Sequence, residues 1–335
     1  MSPPVHLWGS LTAVLQRLMA HAWCALLLDY DGTLTPIVAN PAEARLSPAM
    51  RRVLTALARH PRYRVAIVSG RALADLRGRV DIEAAWLAGN HGLEIEGPRT
   101  AYRHPGALRF RPAIEALART LQSALREMPG ALVEDKGLTL TIHTRRTPAA
   151  LLPTVKRLVF RLVRPAIDAG LLTLRTGKAA WEVRPRVTWD KGKAVRWIAE
   201  RVRMEMPEAN GLAVYIGDDD TDEDAFRALG SAGIGIVVGD DRSTSAAHYY
   251  VESVEQTAQF LGLLRARAWP KARGAASSLS PWERARMRAL PSDSRAALLP
   301  SPRPSHTGRG GVILGPMGSP GEVGTSLQAV ETHYP

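Results

Sequence analysis

Short apolar runs alternate along this chain with longer stretches in which apolar residues recur every three to four positions. The run Cys24-Ala25-Leu26-Leu27-Leu28 has the length and composition of a strand buried on both faces. Residues 64–68, 84–88, 212–216 and 233–238 repeat the pattern. The stretches between them predict helices at 10–20, from Ala72, at 191–203, after Asp224 and at 254–267. Ser47-Pro48 places a capping hydroxyl ahead of a first-turn proline and predicts a helix running to about His60. Strands alternating with helices in this way predict a parallel sheet covered by helices on both faces.

The period changes in the middle of the chain. Ile114, Leu117, Leu121 and Leu125 predict a helix within 112–128, and a second helix covers 149–167. Leu138, Leu140 and Ile142 alternate with Thr139, Thr141 and His143, the mark of a strand with one wetter face. That strand and 131–133 flank an Asp135-Lys136-Gly137 turn, and strands at 171–175 and 179–183 follow. The insert reads as βαβ-like. The expected fold is therefore α/β: a doubly wound, Rossmann-like parallel sheet with an inserted small α/β cap. The expected domains are a discontinuous core of residues 1–101 and 186–268, a cap of 102–185 and a tail of 269–335. The tail holds nine of the 24 prolines, is rich in Ser and Gly and lacks a sustained period, so disorder is expected there.

At 335 residues the chain has room for one large domain or two modest ones, and an apolar content of 45% is ordinary for a globular protein. A single cysteine, Cys24, rules out a disulfide framework and fits a reducing compartment. Inside a strand it reads as a small hydrophobe rather than a catalytic thiol. The N-terminus carries no charged leader region, and 22–28 is too short to span a membrane or form a signal core, so a soluble, cytoplasmic protein is expected. A net charge of +12 raises the question of a polyanionic partner. The arginines, however, are spread along the chain, and eight basic against four acidic residues place +4 of the excess in the tail. Aromatics are only 6%, so neither a nucleic-acid nor a membrane partner is expected, and an anionic small substrate accounts for the remaining charge. The chain uses six lysines against 38 arginines, and four of the six, Lys136, Lys178, Lys191 and Lys193, lie in or directly beside the motifs below, where a compact point charge has a use.

The chemistry begins at Asp29-Tyr30-Asp31-Gly32-Thr33-Leu34-Thr35-Pro36, directly after the first buried run. Ligands of open α/β sheets bind where strands end. There one carboxylate can attack as a nucleophile while the other handles a proton, and together they can hold a hard cation. A bare Asp-x-Asp marks only a loop; the longer stretch is far more specific. Ser69 and Gly70 end the second strand, where a hydroxyl and backbone N–H groups can hold a phosphoryl oxygen, although Ser-Gly-Arg alone is an ordinary turn. Lys191, in Asp190-Lys191-Gly192, precedes a helix. Residues 217–224, Gly-Asp-Asp-Asp-Thr-Asp-Glu-Asp, set five aspartates and a glutamate within seven positions after an apolar strand. Such a loop repels itself unless solvent or a cation relieves it. The insert contributes Glu134-Asp135-Lys136-Gly137, Thr141-Ile142-His143-Thr144-Arg145 and Gly177-Lys178-x-x-x-Glu182-Val183-Arg184-Pro185, and Gly89-Asn90-His91-Gly92-Leu93-Glu94 lies just ahead of it. Taken singly, each of these is an ordinary surface charge or a structural histidine. Gly233-Ile234-Gly235 through Gly239 misses the spacing of a dinucleotide fingerprint and is set aside.

Taken in order over residues 24–267, these stretches resemble the motifs of the haloacid-dehalogenase-like phosphatases, and the Thr-Pro ending and the insert motifs resemble the trehalose-6-phosphate phosphatases among them. The resemblance implies a Mg²⁺-dependent phosphatase that hydrolyses trehalose 6-phosphate through an aspartyl-phosphate. It implies Asp29 as nucleophile, Asp31 as acid and then base, and Lys191 as the neutralising cation. Ser69, Gly70 and Lys191 would hold the phosphate. Asp29, the Asp31 carbonyl and Asp218 would hold Mg²⁺, with Asp222 in support. Asn90, His91, Glu134, Lys136, Lys178 and Glu182 would meet the sugar, and Arg184 would order the cap. Carboxylates and lysines side by side suit hydroxyls, which need both acceptors and donors. Thr144 departs from the tyrosine common in that family and removes one packing contact of the cap. A trehalose-6-phosphate synthase is the implied pathway partner, and a monomer is expected. Rival readings are a phosphatase for another sugar phosphate, such as sucrose 6-phosphate or mannosyl-phosphoglycerate, a non-catalytic sugar-phosphate sensor, and a nucleic-acid-binding protein. The sensor predicts a damaged catalytic group, whereas Asp29, Asp31, Lys191 and Asp218 are all present.

Overall fold

A computed structural model describes residues 3–177, 179–207, 210–239 and 244–267. The elements in order are β1 (Val5–His6), α1 (Leu11–Met19), β2 (Trp23–Leu28), α2 (Pro48–Arg59), β3 (Tyr63–Val68), α3 (Leu73–Val80), β4 (Trp86–Gly89), β5 (Glu94–Gly97), β6 (Thr100–Arg103), α4 (Pro105–Leu108) and α5 (Arg111–Ala124). They continue with β7 (Leu132–Asp135), β8 (Leu140–His143), α6 (Leu152–Asp168), β9 (Leu172–Gly177), β10 (Ala180–Pro185), α7 (Lys191–Glu205), β11 (Gly211–Gly217), α8 (Asp222–Leu229), β12 (Ile234–Val238), β13 (Tyr249–Val251) and α9 (Val254–Ala266). The predicted tail and Lys178 lie outside the described residues. Among those residues no helix is long and apolar enough to cross a membrane.

Nine strands form one sheet in the order β1-β13-β12-β11-β2-β3-β4-β5-β6. All neighbours from β1 to β4 are parallel, while β5 and β6 add an antiparallel hairpin at one edge. In β2 every residue is buried, and the side chains alternate between two cores. Cys24, Leu26 and Leu28 join Leu15, Leu54, Leu76 and Leu261 from α1, α2, α3 and α9. Trp23, Ala25 and Leu27 join Val195, Ile198 and Phe226 from α7 and α8. Period-two alternation with both faces apolar is why this run is a central strand. Truncating one of these leucines to alanine costs about 2–5 kcal/mol. Ser47 caps α2 as expected, its hydroxyl accepting from the Met50 N–H at 3.1 Å. Burial pushes the Cys24 thiol up to about 12, so it is an inert core residue.

The insert forms its own four-stranded sheet, β7-β8-β10-β9, backed by α5 and α6 through Ile114, Leu121, Val155, Val159 and Val163. All of its pairings are antiparallel, so the βαβ-like expectation is corrected in its strand pairing. The helix α6 does link two strands of the same direction, β8 and β9, but β10 lies between them, so the βαβ-like connection is present without a parallel pairing. The expectations at 131–133 and 138–142 are also shifted: β7 runs on through Asp135, and β8 starts only at Leu140. Strand β4 likewise starts two residues late, at Trp86. The β5–β6 hairpin and the short strands β1 and β13 were absent from the sequence reading. Two to four residues are too few to show a period, and their pairing depends on the sheet already being there.

Candidate active site

Chain order brings the motifs to one edge. Strands β11, β2, β3 and β4 are parallel neighbours, so Asp218, Asp29, Ser69 and Asn90 follow their ends side by side. The winding reverses at β2, from which the chain passes to β3 on one side and later returns to β11 on the other, and ligands bind at such switch points. Asp190 caps α7 by accepting from the Lys193 N–H at 2.8 Å, and this delivers Lys191 to the same edge.

Asp29 is 4% exposed and Lys191 2%. The Lys191 ammonium donates to Asp29 Oδ1 at 2.8 Å and to Asp222 Oδ1 at 2.7 Å. Asp222 also accepts from the Tyr215 hydroxyl at 2.6 Å and from the Asp218 and Asp219 N–H groups at 2.9 Å each. Its oxygens are thus fully engaged, and it organises the acidic loop from behind. Burial pushes the Asp29 carboxyl well above the usual range; Lys191 opposes this and the neighbouring aspartates reinforce it. Burial works against the Lys191 ammonium, but Asp222 and Asp29 outweigh it and hold it well above the ordinary lysine value. Asp219 is held low by Lys191 and Thr221 despite its burial.

Carboxylate oxygens of Asp29, Asp218 and Asp222 lie within 4.8 Å of one another. These three carboxylates and Asp219, 3.9 Å from Lys191, outnumber its one ammonium, and a divalent cation would offset the excess negative charge. All donors are hard oxygens, so the set fits Mg²⁺ rather than a softer metal. Gly32 makes room for the Asp218 carboxylate: with φ at +86°, a Cβ here would lie only 2.3 Å from Asp218 Oδ2.

Asp31 is turned outward, and its carboxylate is not among these three. Arg71 grips it with two bonds of 2.7 Å, from Nε to Oδ2 and from Nη2 to Oδ1. Arg71 is itself held by Asp75 at 2.9 Å, and the paired carboxylates keep its guanidinium charged despite burial. Sequence reasoning read Arg71 only as part of a turn. Its signal was position alone, two residues past Ser69 and one strand over from Asp31. Tyr215, in an apolar strand, gave no signal at all.

The small sheet covers this edge and closes a cavity of about 680 Å³, lined among others by Asp29, Asp31, Ser69, Gly70, Lys136 and Lys191. Glu134, His91 and Glu182 also line it. Glu134 accepts from or shares a proton with His143 at 2.7 Å and sits 4.0 Å from Lys136, which together hold its carboxyl low despite burial. Lys136 reaches across to the Gly70 carbonyl at 2.8 Å. Glu182 meets His91 Nε2 at 2.9 Å and Arg184 Nη2 at 2.5 Å. Those partners hold Glu182 well below the carboxylate range, while burial lowers the imidazole of His91 to about 4. Asn90 does not line the cavity. It is fully buried and joins the two sheets, accepting from Thr139 Oγ1 at 2.7 Å and donating to the Lys136 carbonyl at 3.1 Å. Asn90 and His91 both have positive φ, 50° and 57°, a strained pair held by these contacts. Thr144 is buried and bonds the Ala179 carbonyl through its hydroxyl at 3.0 Å. Residues 102–185 carry 15 lysines and arginines against six acidic residues, and Lys136, Arg145, Arg175 and Arg184 of this segment line the cavity.

A doubly wound sheet with aspartates at its switch point and an inserted cap defines the haloacid-dehalogenase-like fold. In agreement, a solved haloacid dehalogenase-like hydrolase from Bacteroides thetaiotaomicron matches 72% of this chain and 99% of its own, with a TM-score of 0.50 and 16% identity. The C-terminal domain of the trehalose-6-phosphate phosphatase of C. albicans matches at a TM-score of 0.66 and 24% identity, covering 79% of this chain and 99% of its own. The family model described as Trehalose-phosphatase matches residues 27–255, and the chain belongs to that family. Trehalose-phosphate phosphatase B of Arabidopsis thaliana is 34% identical over 247 residues, 70% of this chain and 64% of that protein. An uncharacterised glycosyl hydrolase of Mycobacterium tuberculosis is 41% identical over 259 residues, 75% of this chain but 19% of that protein. The chain therefore spans between about a fifth and just under two thirds of the length of these curated relatives.

Proposed function

We propose that this chain hydrolyses trehalose 6-phosphate to trehalose and phosphate. The observation that carries the reading is Asp29: a buried carboxylate held by Lys191 at the floor of a cavity, with Asp31 two residues on and a hydrogen-bonding cap wall opposite. In the proposed reaction Asp29 Oδ attacks phosphorus, the phosphorus–oxygen bond to the sugar breaks, and Asp31, protonated in the substrate complex and held by Arg71 through its other oxygen, gives its proton to the departing oxygen. Asp31 then takes a proton from water as that water attacks phosphorus and frees Asp29. Lys191, Ser69 and Gly70 line the phosphate end, where neutralised charge matters more than covalent chemistry. Asp29, Asp218 and the Asp31 carbonyl would hold Mg²⁺, with Asp222 orienting them; when bound, the ion neutralises phosphate charge and favours ionised Asp29.

Residues 1–101 and 186–268 carry the phosphorus chemistry in this reading, and 102–185 select the sugar. Glu134, Lys136 and His143 offer the mixture of acceptors and donors that hydroxyls need. Glu182 belongs to the same proposed wall, although it is occupied by His91 and Arg184 in this conformation, and Lys178, outside the described residues, is proposed as a sugar contact on the motif alone. A synthase of trehalose 6-phosphate is the proposed supplier of substrate. Phosphate release from trehalose 6-phosphate, sucrose 6-phosphate, glucose 6-phosphate and mannosyl-phosphoglycerate, with and without Mg²⁺, tests the reading. The expected result is strong preference for trehalose 6-phosphate that disappears when the metal is chelated. Preference for another substrate would keep the chemistry and overturn the cap assignment. No release from any of them by folded protein would favour a sensor.

A further inference from the structure

One wall of the cavity has no part in the chemistry above. Ile37, Val38, Ala39 and Pro41 line it from the large-sheet side. Of the eight large apolar side chains that stand exposed among the described residues, only Ile37 lines the cavity, and it is 48% exposed. An aliphatic group facing water at the mouth of a charged cavity is costly to leave uncovered.

The segment is braced just after this residue. Val38 packs on the core beneath. Asn40 accepts from the Ala42 N–H at 3.1 Å. Arg79 donates to the Ala44 carbonyl at 2.6 Å, and Tyr30 to the same oxygen at 3.3 Å. Arg71 Nη2 donates to the Pro41 carbonyl at 2.9 Å and to Asp31 Oδ1 at 2.7 Å. A single guanidinium therefore sets the place of the aliphatic segment relative to Asp31.

We propose that Ile37 is a specificity-determining residue, a platform for the apolar C–H face of a pyranose in the leaving group. The proposal rests on the phosphatase reading. If Asp31 protonates the departing oxygen, the leaving group lies beside Asp31 and hence beside this segment. A pyranose carries hydroxyls around its rim and C–H bonds on its faces. Glu134, Lys136 and His143 on the opposite wall serve the rim, and among the cavity-lining residues Ile37 is the large exposed aliphatic group that can cover a face. Binding sites of this kind pair apolar walls with a few placed polar groups.

The test is steady-state kinetics of Ile37→Ser and Ile37→Leu on trehalose 6-phosphate and on glycerol 3-phosphate, an acyclic ester with no face to stack. Ile37→Ser is expected to raise KM for trehalose 6-phosphate roughly five- to tenfold, ~1–1.4 kcal/mol, and to lower its preference over glycerol 3-phosphate by the same factor. The value of kcat should move less than about twofold, since the contact is present equally in ground and transition states. Ile37→Leu should retain the preference. An unchanged ratio of kcat/KM in Ile37→Ser would overturn the proposal, as would an equal rise in KM for both substrates. Failure of the unsubstituted protein to turn over trehalose 6-phosphate overturns the functional reading by itself. The platform is then judged on whichever sugar phosphate is hydrolysed, and no discrimination at Ile37 there overturns it too.

Discussion

Replacing Lys191 with methionine keeps the buried aliphatic stem and removes one charge. The ammonium is 2% exposed and bonds Asp29 at 2.8 Å and Asp222 at 2.7 Å. Asp222 keeps Tyr215 and two backbone donors, whereas Asp29 loses the cation that opposes its burial. Removing one member of a buried ion pair costs about 3–5 kcal/mol, because the remaining charge is stranded. Loss of a fixed donor at a phosphoryl transition state costs roughly 10²–10³ in kcat. The stability penalty has a pH signature. Burial holds Asp29 and Asp222 above their ordinary values, and Lys191 opposes that in both. Without Lys191 both rise further. A carboxyl raised on folding adds stability that is complete below its ordinary value near 3.9 and is lost as pH climbs through the raised one. The penalty of Lys191→Met should therefore be small near about pH 5 and large near about pH 8. Urea unfolding of both proteins at the two pH values, beside kcat at the higher one, is the assay. A variant as stable as the parent at the higher pH, a pH-independent penalty, or kcat within about tenfold of the parent would refute the reasoning.

Gly32→Ala must accept a left-handed backbone, at about 1–2 kcal/mol, and push the Asp218 carboxylate aside from 2.3 Å. The rise in melting temperature with added Mg²⁺ should shrink in that variant, and an unaltered rise would show that Asp218 is not a ligand. Arg71→Ala frees Asp31, and kcat for a sugar phosphate should fall about 10²-fold. Turnover of p-nitrophenyl phosphate, whose leaving group needs little protonation, should fall much less; equal losses would deny Arg71 its role in placing the acid. His91 resists protonation in the fold down to about 4, while the unfolded imidazole takes a proton near its ordinary value of 6.5. Stability should consequently rise as pH climbs between those values, by up to ~3 kcal/mol, and His91→Asn, which tolerates the left-handed backbone, should flatten the rise in pH-dependent unfolding.

Much of this protein was legible because its signals are local. Five consecutive apolar residues ending in Asp29-x-Asp31 specify a buried strand and the point where it leaves the sheet. Ser47-Pro48 specifies a helix start with no help from elsewhere. The motif order was enough to bring Asp29, Ser69, Asp218 and Lys191 to one edge, because parallel strands end on the same side. What folding alone decided depends on partners distant in sequence. The grip of Arg71 on Asp31 spans 40 residues, and the bond from Lys191 to Asp29 spans 162. Tyr215 looks like any core aromatic until Asp222 is seen against it. The edge hairpin β5–β6 and the antiparallel order of the cap depend on which strand edges are free once the rest has folded. Side-chain pairing and strand neighbours are properties of the assembled chain, since only a formed sheet supplies the edge, the burial and the low dielectric that give them their energy.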